Sequence, residues 1–285
     1  MNLLRPFLLF LAAALFLSAQ NSPAPCTRFL YTTPGSSFSP VAADSLYWDT
    51  VISARSFAGY PELEAQWNYQ YPWGKDHNGS ARMYADSSNH GQLSLEPGNV
   101  LHIKADYINT AEGASSSPPY QPIKYHSAAL HAKHRVTVSD AWPRYEISGL
   151  FKAPVAKGSW PAFWITSATR WPPESDILEF KGDDTNWQNT FITPKAVTTV
   201  KTKIPDADKQ WHGYKAILKK VNAADIDISY YIDNKLTSVH RCNFMNESMW
   251  LIINLQMEGS SGSPGPAGTT SYYIKDVLVR RAHTR

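Results

Sequence analysis

Gly158-Ser-Trp-Pro-Ala-Phe-Trp-Ile165, then Trp171-Pro-Pro-Glu-Ser-Asp-Ile-Leu-Glu-Phe-Lys-Gly182, sets three carboxylates into an aromatic, strand-forming run. A buried or half-buried strand excludes Asp and Glu, because desolvating a carboxylate is costly unless it is paired or its strand face lines a wet cleft. The competing interpretation, a solvated strand edge with scattered acids, suits Glu-x-Asp alone better than it suits three acids beside Trp160, Trp164 and Trp171. Side-chain alternation puts Glu174 and Asp176 on one face and Glu179 on the other. One extra residue in a β-bulge, at Ile177 or Leu178, restores the phase and brings Glu179 onto the shared face, with the apolar pair packing inward. Glu174 and Glu179 then lie about four strand steps apart, roughly 13 Å between Cα atoms, a gap that leaning side chains narrow. A carboxyl separation of roughly 5–6 Å is that of a retaining glycosidase, whereas an inverting pair needs ~6.5–9.5 Å.

Glu174-Ser-Asp-Ile-Leu-Glu179 resembles the bulged Glu-x-Asp-x-x-Glu signature of glycoside hydrolase family 16 in its laminarinase-like form, and Gly158-Ser-Trp-Pro-Ala-Phe-Trp164 resembles the segment that precedes it there. Downstream, Trp211-His-Gly-Tyr214, Ile228-Ser-Tyr-Tyr-Ile-Asp-Asn234, Trp250-Leu-Ile-Ile-Asn-Leu255 and Tyr272 to Arg280 resemble successive strands of that family. Upstream, Tyr125-His-Ser-Ala-Ala-Leu130 and Arg144-Tyr-Glu-Ile-Ser-Gly149 resemble the strands before the acids, so the likeness covers about residues 55 to 282. It implies an all-β fold, an antiparallel β-sandwich jelly roll of the concanavalin A-like kind. It also implies Glu174 as nucleophile, Asp176 as helper and Glu179 as general acid and then base. Trp160, Trp164, Asn189 and Trp211 are the expected substrate-binding residues, with one of the two strand tryptophans belonging to the core. Many laminarinase-like members carry a His where Asn189 and Thr190 stand here. The chemistry needs no cofactor or metal; a structural calcium ion occurs in relatives, with Asp276 in a strand that resembles one of its ligand sources.

The 285 residues suit one large all-β domain. Charged residues make up 18% and aromatics 13%, a balance that fits a carbohydrate-active β protein whose rings stack on sugar faces. Residues 1–20 hold one charge, Arg5, then an apolar run from Phe7 to Phe16 and small residues, which reads as a secretory signal peptide too short to span a membrane. Without Arg5 the formal charge falls from +3 to +2, too small to mark nucleic acid or an anionic membrane as partner. The expectation is a secreted, extracellular monomer acting on a polysaccharide.

Residues 21–54, rich in Ser, Pro and Thr, read as an extended arm ahead of a catalytic domain at 55–285. The aromatics of Phe57 to Glu62 and Trp67 to Trp73 sit in a loop-like context, either open to a cleft or packed at an edge. Leu93 to Asp106 is a strand pair around Pro97-Gly98, and Asp233-Asn234 a hairpin turn. Residues 111–121 form a surface loop, Gln188 to Ile192 a strand beside the acids, and 258–268 a flexible Gly/Ser/Pro loop near the cleft. His212 is structural or part of a wall, since the carboxylates already supply the acid and base. Asn78 and Asn246 open N-glycosylation sequons, which matter only in a eukaryotic host.

Laminarin-type β-1,3-glucan is the leading substrate, with a galactan (β-1,3-galactan or agarose) as runner-up. A lectin-like module on the same fold is the other class. Binding alone needs no cluster of three acids, which weighs against the lectin.

Cys26 and Cys242 are the two cysteines of a chain expected to be exported, where a disulfide between them is permitted. The bond closes more than 200 residues of chain. Such closure contributes about 2–4 kcal/mol, mostly by restricting the unfolded state. A double Cys→Ser variant should melt lower and keep its specific activity where it stays folded. Peptide mapping of non-reduced protein tests the bond directly, and two free thiols would refute it.

Overall fold

The computed structural model describes residues 46–284; the leader at 1–20, the first part of the arm and Cys26 lie outside them. The end of the arm differs from expectation. Strand β1 (Tyr47–Ile52) buries Ile52 at its end and pairs with the last strand of the chain, so the folded domain begins inside the segment read as an arm. A second difference is helix α1 (Tyr60–Gln66), where the sequence reads as loop: Pro61 sits in its first turn, and Leu63 is buried beneath it. One apolar contact in two turns is too faint a 3.6-residue pattern to read from sequence.

Six short strands follow: β2 (Trp67–Tyr69), β3 (Ala81–Met83), β4 (Leu93–Glu96), β5 (Val100–Tyr107), β6 (Tyr125–Ser127) and β7 (Ala129–Ala132). The middle of the chain gives β8 (Arg144–Lys152), β9 (Ser159–Ser167), β10 (Glu174–Glu179), β11 (Thr185–Thr193) and β12 (Ala196–Lys203). The rest is β13 (His212–Lys220), β14 (Ile226–Ile232), β15 (Lys235–Cys242), β16 (Met249–Met257) and β17 (Thr269–His283). The expected turns are present. Asp233 and Asn234 both adopt positive φ, 49° and 62°, as a two-residue hairpin of the primed kind requires.

Among the described residues the strands form two sheets, a jelly roll in which all pairs but β3–β6 are antiparallel. The outer sheet runs β15-β14-β13-β8-β17-β5-β6-β3, with β1 on β17 and β4 on β5; the inner runs β12-β11-β10-β9-β16-β7-β2. In the outer sheet, β8 and β14 alternate strictly between buried and half-exposed positions, as one covered and one wet face dictate. In the inner sheet, β9 and β16 are buried almost throughout, because one face meets the core and the other is walled by loops. The layers meet through rings: Phe163 of β9 lies 4.9 Å from Phe151 of β8, which in turn packs 5.7 Å from Tyr214 of β13.

Cys242 is buried at the end of β15, its Sγ 4.0 Å from the Ile226 carbonyl oxygen; its expected partner is outside the described residues.

Phe163 joins the two sheets at the strand that carries half of the cleft floor, so its loss should be felt globally. Phe163→Ala should cost about 3–5 kcal/mol. At about 2–4 °C for each kcal/mol, the melting temperature should fall by roughly 6–20 °C. Calorimetry against the exposed-edge control Thr198→Ala checks this, and equal melting of the two variants would contradict the contact.

Candidate active site

The acids meet through the bulge. Opposite β10, β9 pairs Thr166 with Glu174, Trp164 with Asp176, Phe163 with Leu178 and Ala162 with Glu179, and the register slips between Asp176 and Leu178. Ile177 is therefore the extra residue, and both it and Leu178 are fully buried. Six residues of β10 span five of β9, so Glu174, Asp176 and Glu179 all line one cleft with Thr166, Trp164 and Ala162.

That cleft holds about 990 Å³. Its floor continues onto β16 at Trp250, Asn254 and Gln256 and onto β11 at Phe191. One wall is aromatic: Trp73, 45% exposed, stands 6.1 Å from Trp164, and the His77 ring stacks on Trp164 at 6.2 Å. Burial pushes the His77 pKa down to about 4, so its ring is neutral at ordinary pH. Ser117 and Pro118 of the 111–121 loop and Ser260 of the 258–268 loop complete the rim. The second loop is pinned rather than free. Its Glu258 accepts hydrogen bonds from Ser80 Oγ (2.7 Å), Ser263 Oγ (2.9 Å) and the Gly265 amide (3.0 Å). It packs so closely on the end of β10 that a Cβ on Gly182, whose φ is +79°, would fall 2.3 Å from the Ser261 carbonyl oxygen.

Every acid is held by a named donor. Trp171 Nε1–H donates to Glu174 Oε2 at 2.8 Å, and Trp160 Nε1–H to Glu179 Oε1 at 2.7 Å. The Asn189 amide donates to both Asp176 Oδ2 and Glu179 Oε2, each at 2.8 Å, while its own oxygen accepts from Thr199 Oγ1 at 2.8 Å. Lys181 Nζ lies 3.1 Å from Glu179 Oε2. Beneath the acids, Ser175 and Thr190 bond the buried Tyr230 hydroxyl at 2.5 and 2.7 Å, tying β10 and β11 to the outer sheet.

Electrostatics place protons in the cluster. Burial, then the neighbouring Glu174 and Glu179, pushes the Asp176 carboxyl well above the usual carboxylate range. Burial pushes Glu174 up to about 7, helped by Glu179 and opposed by the Trp171 hydrogen bond and Lys181. Glu174, the expected nucleophile, thus shares the retained protons with Asp176.

Trp160 and Trp164 line the cleft, Trp164 also belonging to the buried core as one of the pair was expected to, and Asn189 is buried against Asp176 and Glu179 rather than lining the cleft itself. Trp211 lies away from it. It precedes β13 in the outer sheet, under the ammoniums of Lys152 and Lys275 at 5.1 and 4.6 Å. Its neighbour His212 pairs with Asp206 and Asp233. Lys181, His77, Asn254 and Gln256 escaped the sequence, while Trp73 belongs to the aromatic stretch whose place, at a cleft or at an edge, the sequence left open. Alternation could have found three of them, since Lys181 shares Glu179's face and Asn254 and Gln256 are the polar positions of an apolar strand. Among the described residues no group of three or more His, Cys, Asp or Glu could hold a metal ion, and Asp276 is exposed at an irregularity in β17.

Residues 103–263 match the family model for glycosyl hydrolases family 16. The chain belongs to glycoside hydrolase family 16. It is 43% identical over 234 residues to a galactan endo-beta-1,3-galactanase of Flammulina velutipes, covering 81% of this chain and 90% of that protein. Among solved structures it resembles the endo-1,3-beta-glucanase of Streptomyces sioyaensis, with a TM-score of 0.60, 18% identity, and 88% and 100% of the two chains covered. It also resembles the catalytic domain of the laminarinase of Thermotoga petrophila RKU-1, with a TM-score of 0.56, 19% identity, and 85% and 100% covered. These structures share the family 16 fold. The protein is a family 16 endo-glycosidase.

The raised carboxyls carry a stability consequence. Glu174 and Asp176 bind protons more tightly folded than unfolded, so their cost is absent below about pH 4 and grows as pH rises toward 7 for Glu174 and further for Asp176. Asp176→Asn should therefore melt several degrees above the wild type at pH 7.5, about 2–4 °C for each kcal/mol relieved, and level with it near pH 4. Melting curves at the two pH values check this; no gain at pH 7.5 would count against the buried charge.

Proposed function

We propose that the protein is an exported, retaining endo-β-1,3-galactanase. The 43% match to a galactanase along most of both chains carries this reading. The solved glucanases, at 18–19% identity, speak for the fold and not for glucan, so laminarin gives way to galactan as the substrate. Asn189 and Thr190, in the region of the strand where laminarinase-like members often have a His, are in keeping with that change. The leader at 1–20 supports export.

The chemistry follows from the three acids. Glu174, once ionised, attacks the anomeric carbon while Glu179 gives its proton to the departing oxygen, forming a glycosyl ester on Glu174. Glu179, now ionised, takes a proton from water, whose oxygen displaces Glu174 and restores the β configuration. Asp176 stands between them and, by keeping its own proton, spares Glu174 a second negative charge beside it when Glu174 ionises. Trp73 and Trp164 offer faces for pyranose rings.

Hydrolysis of a polysaccharide panel tests the substrate. β-1,3-Galactan should be cleaved with the highest kcat/KM, internally, with the β-anomer appearing first by proton NMR. Glu174→Gln and Glu179→Gln should each reduce turnover of galactan by about 100-fold or more while keeping the fold. Faster cleavage of laminarin would overturn the galactan assignment, an initial α-anomer the retention, and wild-type rates in either variant the roles.

A further inference from the structure

Glu179 has an unusual set of neighbours for a group that must begin the reaction as an acid. Oε1 accepts from Trp160, and Oε2 accepts from Asn189 while lying 3.1 Å from the Lys181 ammonium. All three bond better to a charged carboxylate than to a neutral carboxylic acid. Two of the donors are fixed. The Trp160 indole belongs to a central strand and packs against Gly259, and the Asn189 amide is oriented by Thr199 on one side and Asp176 on the other. Lys181 is different, with a flexible four-carbon stem and a side chain 20% exposed.

The ammonium is also kept at its post from outside. Lys181 Nζ lies 4.7 Å from the centre of the Trp187 ring, and Lys201 Nζ lies 3.5 Å from the same ring. The indole is attracted to both cations, while the two ammoniums repel, so Lys201 discourages Lys181 from swinging outward over β12. The other groups around Glu179 cannot replace it. Glu174 and Asp176 on β10 are acids, and Asn254 and Gln256 of β16 are uncharged. His77 across the cleft is neutral above about pH 4, and Arg170 is paired with Glu247. Lys181 is the cation that faces Glu179 from within the cleft among the described residues, and its field reaches Glu174 and Asp176 as well.

We propose that Lys181 is a positioning residue for the acid–base carboxyl. It holds Glu179 ionised and aimed for the water-activating half of the reaction, and must give way when the carboxyl carries its proton to the leaving oxygen. This rests on Glu179 being the acid–base, as proposed above, and holds for whichever β-1,3-glycan the enzyme prefers. Without Lys181 the proton stays on Glu179 to higher pH, which helps the first half at alkaline pH and hinders the second.

Lys181→Met and Lys181→Gln are compared with Lys181→Arg, which keeps the charge. In the two neutral variants the alkaline limb of kcat/KM should move up by about one pH unit, the scale of one charge at contact distance in a wet site. The limb should stay in place in Lys181→Arg. With an aryl glycoside of the preferred disaccharide, whose leaving group needs no acid, kcat of the neutral variants should fall by about 10-fold or more. Azide, which displaces Glu174 without a base to give the β-glycosyl azide, should restore turnover. An unmoved limb in folded neutral variants, an equal shift in Lys181→Arg, or slow turnover that azide does not restore would each overturn the role of Lys181. Glu179→Gln, assayed alongside, separates the two ideas: if it leaves turnover intact, the acid–base assignment falls, whatever the lysine variants do.

Discussion

The extra residue at Ile177 is the constraint on which the site depends. Without it, strand alternation would send Glu179 into the core and leave Glu174 and Asp176 without the third acid of the cleft. With it, both Ile177 and Leu178 pack inward, and the apolar burial they provide helps to stabilise a bulge that interrupts the ladder. A deletion there would change which face the rest of β10 presents, Lys181 included. The bulge thus serves both the packing of β10 and the gathering of the three acids on one face.

Around it, the polar side chains of the floor are arranged in pairs that leave little choice of orientation. Trp164 donates to Asn254, Trp160 to Glu179 and Trp171 to Glu174, so each of these three cleft-lining indoles is locked by its N–H. Below, the Tyr230 hydroxyl collects Ser175 and Thr190, and Thr190 in turn meets His240. These buried groups satisfy one another across the two sheets, which fixes the height of β10 relative to the outer sheet. A site whose acids must be placed to within about 0.5 Å needs such support beneath it.

Much of this was legible in the sequence because it follows from period-two alternation. The acids, the bulge, the Asp233-Asn234 turn and the two-sided burial of Trp250 to Met257 all leave a local pattern. What was lost depends on contacts between distant segments. Nothing near Trp211 states that it lies against Lys152 and Lys275 on the outer sheet, and an aromatic before a strand looks the same on either layer. β1 was read as arm because its partner is more than 200 residues away. Trp73 and His77 come from a loop whose course no periodicity records. The proton distribution was not legible for a related reason: the depth of burial of Glu174 and Asp176 is a property of the walls and not of the strand.

Asn189 shows how far the chemistry is spread beyond the acid-bearing strand. An amide could present either its oxygen or its nitrogen to the acids, and only the nitrogen is compatible with two carboxyls that each carry negative charge for part of the cycle. Thr199 on the edge strand β12 decides the matter by donating to Asn189 Oδ1, which turns both N–H groups toward Asp176 and Glu179. A histidine on that strand could itself gain or lose a proton, whereas an amide cannot. With Asn189 in place, the protons of the cluster are governed by burial, by the three acids and by Lys181, and the edge strand contributes orientation rather than charge.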